Sequence, residues 1–300
     1  MDKMVDRYPS RLTDGPSIIG RRDPVVHSDP DTRRAGPLSE ADLQAYERDG
    51  FLALPGYFDR DEVETLRAEL DRLWEVHAES DAAHVIRETN SKAVRSIFAV
   101  HRDSPVFRRL ARDRRLLGIA RQLLGGEVYI HQSRINYKPG FAGNGFYWHS
   151  DFETWHAEDG MPRMRAVSAS IALTENTPNN GPLMLVPGSH HYYVCCVGET
   201  PEDNYKTSLQ RQSIGVPDND SLARLVEEGG IEAPVGPPGS LILFECNTMH
   251  GSNSNITPLP RSNVFLCYNS VANTLAAPFA APKPRPDFIA ERGFTPLEPV

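Results

Sequence analysis

The stretch FYWHSDFETWH, residues 146–156, contains two histidines and two acidic residues. His149 and Asp151 are two positions apart, so in a β-strand both side chains would lie on the same face. An imidazole and a carboxylate that converge in this way could bind a metal ion. The spacing H-x-D also occurs in capped turns with a solvated histidine, so this interpretation requires a further ligand from elsewhere in the chain.

His250, in the stretch FECNTMHGSN, is the candidate for the third ligand. It follows the apolar run SLILFE, which predicts a strand that ends shortly before the histidine. Two histidines and one carboxylate form the facial triad of non-haem Fe(II) oxygenases, which leaves coordination positions open for substrates. Zinc hydrolases also use two histidines and one acid, so metal-assisted hydrolysis is the alternative at this point.

Arg261 follows His250 at the start of the run RSNVFLCYN. A guanidinium can bind a carboxylate through two parallel hydrogen bonds. A dicarboxylate co-substrate that chelates the metal at one end would need such a partner at its other end. The pair of His250 and Arg261 therefore favours oxygen activation with 2-oxoglutarate over hydrolysis.

The elements that must position these residues change in character near residue 126. Before it, apolar spacing predicts a helix that Ser39 caps and Gly50 ends, a second helix over residues 59–79, and a third that runs from Ser104 to Gly125. After it, short runs separated by Gly, Pro and Asn predict strands of a sandwich or barrel. These runs are 127–138, 145–152, 164–174, 182–187, 240–245 and 261–269. The segment 202–230 is predicted to be helical in part.

This layout predicts one domain over residues 38–300, with its helices first and its β core second. The helical part comprises residues 38–126, the β core residues 127–270, and a Pro-rich, irregular tail residues 271–300. Residues 1–37 are rich in Pro, Asp and Arg without a clear period. We interpret them as an N-terminal arm or a loosely packed entry to the domain.

The composition is that of an ordinary globular enzyme. Of the 300 residues, 39% are hydrophobic and 24% are charged, which does not fit a disordered chain. A net charge of −8 argues against nucleic acid as the main partner, because backbone phosphates require a basic face. No apolar run approaches the ~20 residues that span a membrane, and the first residues lack the apolar core of a signal peptide. We expect a cytoplasmic protein with neither a membrane nor a nucleic-acid partner.

The cysteines give no indication of a structural metal site. They form no C-x-x-C pair, which disfavours a zinc knot. We expect scattered reduced thiols, as in cytosolic proteins. The four residues are Cys195, Cys196, Cys246 and Cys267.

Four stretches of the chain resemble the ectoine hydroxylases, a family within the phytanoyl-CoA dioxygenase superfamily. They are FYWHSDFETWHAEDGMP, HQSRINYKPG, NGPLMLVPGSH and MHGSNSNITPLPRSN. The first motif is long and specific, whereas the H-x-D within it belongs to the whole superfamily. The resemblance implies a mainly β fold with flanking helices, namely a double-stranded β-helix (a cupin-like jelly roll). It also implies hydroxylation of L-ectoine to 5-hydroxyectoine with Fe(II), 2-oxoglutarate and O2, release of succinate and CO2, and a homodimer.

The predicted strand HQSRINYK alternates, so that four long polar side chains share one face. These are Gln132, Arg134, Asn136 and Lys138. Such a face is either solvated or lines a polar cavity, and the pattern alone favours the solvated face. The resemblance implies the cavity instead, with Gln132 on the substrate and Lys138 on 2-oxoglutarate.

Residues Arg261, Asn263 and Phe265 also share one face. If Arg261 reaches the metal cavity, Asn263 and Phe265 must point toward it as well, although ordinary core packing is the alternative for Phe265. Ser252 lies two residues after His250 and is a candidate to donate to the far carboxylate of the co-substrate. A serine in a Gly-Ser-Asn sequence can otherwise simply form a turn.

Ectoine carries a delocalised, amidinium-type cation on its ring and a carboxylate. A cation over aromatic faces gains roughly 0.5–2 kcal/mol. We therefore predict an aromatic cage, with packing as the alternative for its tryptophan, and Gln132 and Asn263 as hydrogen-bonding partners of the ring. The carboxylate needs a donor, for which Arg134 and Asn263 are the candidates. The predicted cage residues are Trp155, Phe244 and Phe265.

Other functions and other residues stay open at this point. A hydroxylase of the same superfamily could act on an amino acid or an acyl thioester. An iron halogenase lacks the carboxylate ligand, so Asp151 argues against it, and a non-catalytic jelly-roll binding module would lose the triad or Arg261. The remaining polar residues of the first motif are interpreted as groups at the surface or behind the metal ligands. They are Glu153, His156, Glu158 and Asp159.

Overall fold

A computed structural model of the chain describes residues 5–88 and 93–300, so parts of the predicted arm and of the predicted helical region lie outside the described residues. The strands are β1 (Ser17–Gly20), β2 (Phe51–Leu54), β3 (Val85–Arg87), β4 (Val94–Phe98), β5 (Val128–Lys138), β6 (Phe146–His149), β7 (Ala166–Ala172), β8 (Leu183–Leu185), β9 (Tyr192–Cys195), β10 (Leu241–Glu245), β11 (His250–Ser252) and β12 (Arg261–Ser270). The helices are α1 (Pro30–Ala35), α2 (Glu40–Asp49), α3 (Arg60–Val76), α4 (Val100–Asp103), α5 (Pro105–Ala111), α6 (Arg114–Leu124), α7 (Asp151–Thr154), α8 (Tyr205–Ser208) and α9 (Asn219–Gly229).

Two antiparallel sheets form the β core. The large sheet has the strand order β2-β10-β7-β12-β5-β4-β3, and the small sheet has the order β6-β11-β8. Apolar side chains from both sheets meet between them, including Leu183 and Leu185 from β8 and Phe244 and Phe265 from the large sheet. This arrangement agrees with the predicted jelly roll. All six predicted strand runs contain a strand, whereas β3 and β4 arise in a region that the pattern assigned to helices.

The two faces of the large sheet differ because polar and apolar residues alternate along β5 and β12, and these two strands pair in matching register. Arg261 lies opposite Lys138, and Phe265 lies opposite Arg134, so the polar positions of both strands share the inner face. The intervening residues, such as Val264, contribute to the outer face, where the main hydrophobic core also contains residues of α2, α3, α5 and α6. The inner face is thereby left to line a cavity between the sheets.

The helices follow their predicted caps, with one correction. Ser39 and Asp42 form the capping box of α2, and Gly50 ends that helix with φ of 81°. The single helix predicted between Ser104 and Gly125 is in fact two helices, α5 and α6. The chain is interrupted because Asp113 accepts hydrogen bonds from backbone N–H groups at the start of α6 and caps a new helix. Among the described residues, no helix is long and apolar enough to cross a membrane.

The predicted strand over residues 145–152 ends earlier than expected, at His149. The Ser150 side chain accepts a hydrogen bond from the Glu153 N–H and so caps α7, which places Asp151 at the first position of a helix rather than in a strand. A five-residue π-helical turn, Trp155–Asp159, follows directly. Short π-helical segments occur frequently at functional sites.

The N-terminal arm is not loosely packed over the residues that the structure describes. Tyr8, Arg11 and Asp23 are buried, and β1 pairs with β9. The expectation of a loose entry is wrong because the charged residues of the arm form ion pairs with distant parts of the chain, such as Arg11 with Glu153. These partners cannot be identified from the composition of the arm.

Candidate metal centre and the adjoining cavity

Three candidate ligands come together at one end of the small sheet. His149 ends β6, His250 begins β11, and the two residues are register partners on adjacent strands. Nε2 of His149 lies 3.7 Å from Oδ1 of Asp151, and Nε2 of His250 lies 3.9 Å from the same oxygen. One ligand atom from each residue falls within 4.8 Å of the other two. The structure therefore brings the predicted triad together, although Asp151 reaches it from a helix.

Backbone carbonyl groups fix the orientation of both imidazoles. Nδ1 of His149 lies 2.7 Å from the Tyr147 carbonyl, and Nδ1 of His250 lies 2.9 Å from the Thr248 carbonyl. Because a carbonyl oxygen only accepts hydrogen bonds, each Nδ1 carries the hydrogen and each Nε2 keeps its lone pair. Both lone pairs are then available beside the Asp151 carboxylate.

The protonation states at the triad also suit a divalent cation. Burial, together with the neighbouring His250, lowers the pKa of His149 to about 4, so this imidazole is neutral. For Asp151, burial raises the pKa, but the combined effect of His250, His149 and Arg134 leaves it below its usual value. Two imidazoles and one carboxylate are the donor set of non-haem iron centres, so these residues fit such a metal.

A cavity of about 480 Å³, its open mouth included, adjoins the triad. At one end of it, Lys138 Nζ donates to Ser252 Oγ at 2.9 Å and to the Asn253 carbonyl at 2.5 Å. Arg261 Nη1 donates to the Gly181 carbonyl at 2.6 Å, whereas its buried Nε has no hydrogen-bond partner among the described residues. All three predicted co-substrate residues thus line one end of the cavity.

This end of the cavity is electrostatically prepared for an anion. Burial, together with the nearby charges of Arg261 and Arg95, lowers the pKa of Lys138 to about 6, and burial lowers the pKa of Arg261 to about 10. No carboxylate in the described part of the chain forms an ion pair with either side chain. Arg261 stays charged at neutral pH, and a buried cation without an ion-pair partner is costly. An anionic ligand would relieve that cost and would favour the charged form of Lys138.

The aromatic residues predicted for the substrate are only partly assembled. The Phe244 ring lies 5.0 Å from the His250 ring and 6.4 Å from the Phe265 ring, between centroids. Asn263 lines the cavity with Phe265, and its Nδ2 donates to Ser170 Oγ at 3.2 Å. Asn263 and Phe265 therefore line the cavity, whereas Phe244 contacts His250 without lining it.

Like Phe244, the predicted substrate residues Gln132 and Trp155 do not line this cavity. Gln132 Nε2 donates to the Ile289 carbonyl at 3.0 Å, in the C-terminal tail. Trp155 is buried in a separate hydrophobic cluster, with its ring 4.8 Å from that of His131. The π-helical turn carries Trp155 toward the arm and tail, so the structure does not bring the three predicted cage residues into mutual contact.

Residues 46–263 match the model of the family described as phytanoyl-CoA dioxygenase (PhyH). The chain belongs to the phytanoyl-CoA dioxygenase family. The described site agrees with that membership, since the three candidate metal ligands and the basic side chains of Lys138 and Arg261 lie within the matched region. The expected fold is thereby also confirmed.

Individual members of this family are similar to the chain over nearly its full length. The ectoine dioxygenase of Stutzerimonas stutzeri is 55% identical over 98% of this chain and 97% of its own. The crystal structure of EctD from S. alaskensis with 2-oxoglutarate and 5-hydroxyectoine is 52% identical, with a TM-score of 0.87, and covers 99% of this chain and 96% of its own. The crystal structure of the same protein with bound Fe is 50% identical, with a TM-score of 0.88, and covers 99% of this chain and 98% of its own.

Sequence reasoning left the role of one cavity residue, Arg134, open. Arg134 lines the cavity, and its buried Nε has no hydrogen-bond partner among the described residues. Its guanidinium carbon lies 5.0 Å from the centre of the Phe265 ring. The alternation of β5 identified Arg134, but the pattern favoured a solvated face, which is wrong because the small sheet covers it.

The polar residues that follow Asp151 in this family member are buried rather than at the surface. Glu153 is an ion-pair partner of Arg11, His156 of Asp6, and Asp159 of Arg285. Glu158 also pairs with Arg11. Each of these contacts joins the α7 and π-helical segment to the arm or the tail. Sequence spacing gave no signal of them, because each partner lies more than a hundred residues away.

Proposed function

We propose that this chain hydroxylates L-ectoine to 5-hydroxyectoine with Fe(II), 2-oxoglutarate and O2, and releases succinate and CO2. The observation that carries the proposal is one cavity in which a His-Asp-His cluster adjoins Lys138 and Arg261, two buried basic side chains that form no ion pair within the described residues. Ectoine as the substrate is supported by the relatives named ectoine dioxygenase and by the EctD structure with 5-hydroxyectoine.

In this proposal the iron would be held by Nε2 of His149, a carboxylate oxygen of Asp151 and Nε2 of His250. When bound, the iron would activate O2 at the expense of 2-oxoglutarate, which is oxidised to succinate and CO2, so that a ring C–H bond of ectoine becomes C–OH. The protein supplies the placement of both organic substrates. The carbonyl contacts to each Nδ1 keep the ligand nitrogen aimed at the metal position through the reaction.

Arg261, Lys138 and Ser252 hold the distal carboxylate of 2-oxoglutarate. The Arg261 guanidinium can donate two parallel hydrogen bonds to a carboxylate. Its Nε has no hydrogen-bond partner among the described residues, which supports that role. An anion beside Lys138 would raise the pKa of its amine again and keep it charged. Ser252, which already accepts a hydrogen bond from Lys138, can donate its own hydroxyl to the anion.

The substrate lies on the inner face of β12 in this proposal. Phe265 provides apolar and π contacts for the ring, Phe244 packs against Phe265, and Asn263 hydrogen-bonds the ring. Arg134 is the preferred donor to the ectoine carboxylate, because it lines the cavity and its Nε has no hydrogen-bond partner among the described residues. Gln132 and Trp155 complete the site from the side of the π-helical turn, which requires that they turn toward the cavity when substrate binds.

The aromatic contacts give a prediction about coupling. Phe265→Ala and Trp155→Ala should each weaken ectoine affinity by on the order of 1–3 kcal/mol, because burial and cation–π attraction are lost together. A poorly held ring presents the wrong hydrogen, so succinate should form in excess of hydroxyectoine. The measurement is the ratio of succinate to hydroxyectoine, beside the apparent ectoine affinity.

Phe294→Ala is the matched control for these variants, because the Phe294 ring packs on Tyr129 and does not line the cavity. It should retain the wild-type product ratio. A wild-type ratio and affinity in either Phe265→Ala or Trp155→Ala would remove that residue from the substrate site and return it to core packing.

Substrate-dependent turnover tests the proposed function directly. The Fe(II)-loaded protein is incubated with 2-oxoglutarate and O2, and succinate and hydroxylated product are measured with L-ectoine, with free amino acids or with an acyl thioester. We expect matched succinate and 5-hydroxyectoine with L-ectoine alone. Succinate release driven by an amino acid or a thioester, but not by ectoine, would keep the iron site and reject the substrate. The absence of any substrate-driven succinate would reject the enzymatic function.

The proposal extends to the organisation and location of the protein. Residues 38–300 act as one catalytic domain, with residues 1–37 packed against it as an arm. A cytoplasmic location is supported by four buried cysteines that are all free. A homodimer is supported by the family resemblance.

A further inference from the structure

A buried ion-pair cluster joins the N-terminal arm to the helical turn that carries Asp151. Arg11 Nε donates to Glu153 Oε1 at 2.7 Å, and Arg11 Nη2 donates to Oε2 of the same carboxylate at 2.9 Å. Arg11 Nη2 also lies 3.1 Å from Glu158 Oε1. The side chains of Arg11 and Glu153 are each 2% exposed, so water and salt screen this pair weakly. The cluster is thus a fixed connection between the arm and the site.

The carboxylate that Arg11 binds belongs to the same short helix as the candidate metal ligand. Glu153 lies in α7, which begins at Asp151 and has only four residues. α7 continues directly into the π-helical turn, so the helical segment that carries Asp151 spans residues 151–159. A segment this short depends on tertiary contacts for its orientation, because it has few backbone hydrogen bonds of its own. The two hydrogen bonds from Arg11 to Glu153 therefore act on the element that presents the Asp151 carboxylate.

The backbone at Arg11 is itself held in a costly conformation. Its φ is 59°, in the left-handed region that residues with a side chain rarely adopt. The neighbouring residues are held by Cys196, which directly follows β9: the Leu12 N–H donates to the Cys196 carbonyl, and the Cys196 N–H donates to Ser10 Oγ. Conformations of this kind persist where the surrounding contacts determine them, and they concentrate at functional sites.

The cluster is closed on its other sides. Asn204 Nδ2 donates to Glu158 Oε1 at 2.8 Å, and Ser10 Oγ donates to Glu153 Oε1 at 2.5 Å. A Cβ atom at Gly215 would lie 2.3 Å from Glu153 Oε2, so this loop leaves no room for a side chain. Glu153 consequently has little freedom to move while Arg11 is in place.

We propose that Arg11 is a positioning residue of the metal site: through Glu153 it fixes the direction in which α7 presents the Asp151 carboxylate. This inference rests on the proposed function, because it takes Asp151 as a metal ligand. Arg11 touches neither the metal position nor the substrate cavity. Loss of its two parallel hydrogen bonds allows α7 to tilt, which weakens metal binding while the fold stays intact. Loss of a group that hydrogen-bonds directly to a metal ligand lowers metal affinity by about 10–100-fold. Arg11 acts through Glu153 and not on Asp151 itself, so we expect its loss to lower metal affinity by about tenfold.

Co(II) titration of the metal-free, full-length protein tests this without any turnover. The visible absorption of bound Co(II) reports the number and arrangement of its ligands. Arg11→Lys keeps the buried positive charge but cannot form the two parallel hydrogen bonds. We expect its Kd for Co(II) to rise about tenfold and its absorption bands to change, with a Tm close to that of the wild type. Arg11→Met should raise the Kd for Co(II) further. If Arg11→Met does not fold, the Kd and spectrum of Arg11→Lys alone test the inference.

Asp23→Asn is the matched control from the same arm. The Asp23 side chain is fully buried and bonds to Tyr8, Arg163 and Met164, none of which lies in residues 149–160. It should lower the Tm and leave Co(II) binding unchanged. A wild-type Kd and spectrum in Arg11→Lys would overturn the inference, and so would an equal loss of Co(II) affinity in Asp23→Asn. Undiminished Co(II) binding by His149→Ala would instead show that the proposed metal site is wrong.

Discussion

His149→Ala, Asp151→Ala and His250→Ala should each abolish hydroxylation and sharply weaken iron binding. The three side chains place ligand atoms within 4.8 Å of one another, and each substitution removes one of the three proposed ligands. The remaining pair would bind Fe(II) too weakly and in the wrong geometry for both substrates. Iron content after dialysis, together with substrate-dependent succinate release, measures the effect.

His191→Ala is the control for the triad, because His191 is exposed and lies outside the cavity. It should retain wild-type iron content and turnover. His156→Ala is a poorer control, since His156 is buried and stacks on Phe279 with ring centroids 4.0 Å apart, so its loss would reduce stability. Near-normal turnover and iron content in any one of the three alanine variants would remove that residue from the proposed ligands.

Arg261→Leu should raise the 2-oxoglutarate KM by about tenfold to hundredfold, since a charge-assisted hydrogen-bonded pair contributes roughly 1.5–3 kcal/mol. The fold should survive this change. Arg261 is buried without an ion-pair partner in the described part of the chain, so leucine removes an uncompensated charge and leaves no carboxylate behind. The KM for 2-oxoglutarate and the Tm of the ligand-free protein are the two measurements.

Arg261→Lys separates charge from geometry at this position. Lysine keeps a cation but cannot form the two parallel hydrogen bonds, so its KM for 2-oxoglutarate should fall between those of the wild type and Arg261→Leu. If Arg261→Leu leaves the 2-oxoglutarate KM unchanged and raises the ectoine KM, Arg261 belongs to the substrate rather than to the co-substrate.

Local sequence determined those features that depend on spacing within one element. The capping box of α2 and the shared inner face of Arg261, Asn263 and Phe265 were predictable because both depend on residues only a few positions apart. The break between α5 and α6 at Asp113 was also encoded locally, as an N-cap, although helical spacing on either side concealed it. His149 and Asp151 were expected to converge, and they do so even though a strand gives way to a helix between them.

Tertiary structure alone decided which polar residues are buried and what they contact. The alternation on β5 is the same whether Arg134 and Lys138 face solvent or a cavity, and only the position of the small sheet distinguishes the two. Glu153 and Asp159 could not be placed from their own segment, because their partners are Arg11 in the arm and Arg285 in the tail. A charged side chain is buried only where a distant counter-charge reaches it, and the fold of the whole chain determines that meeting.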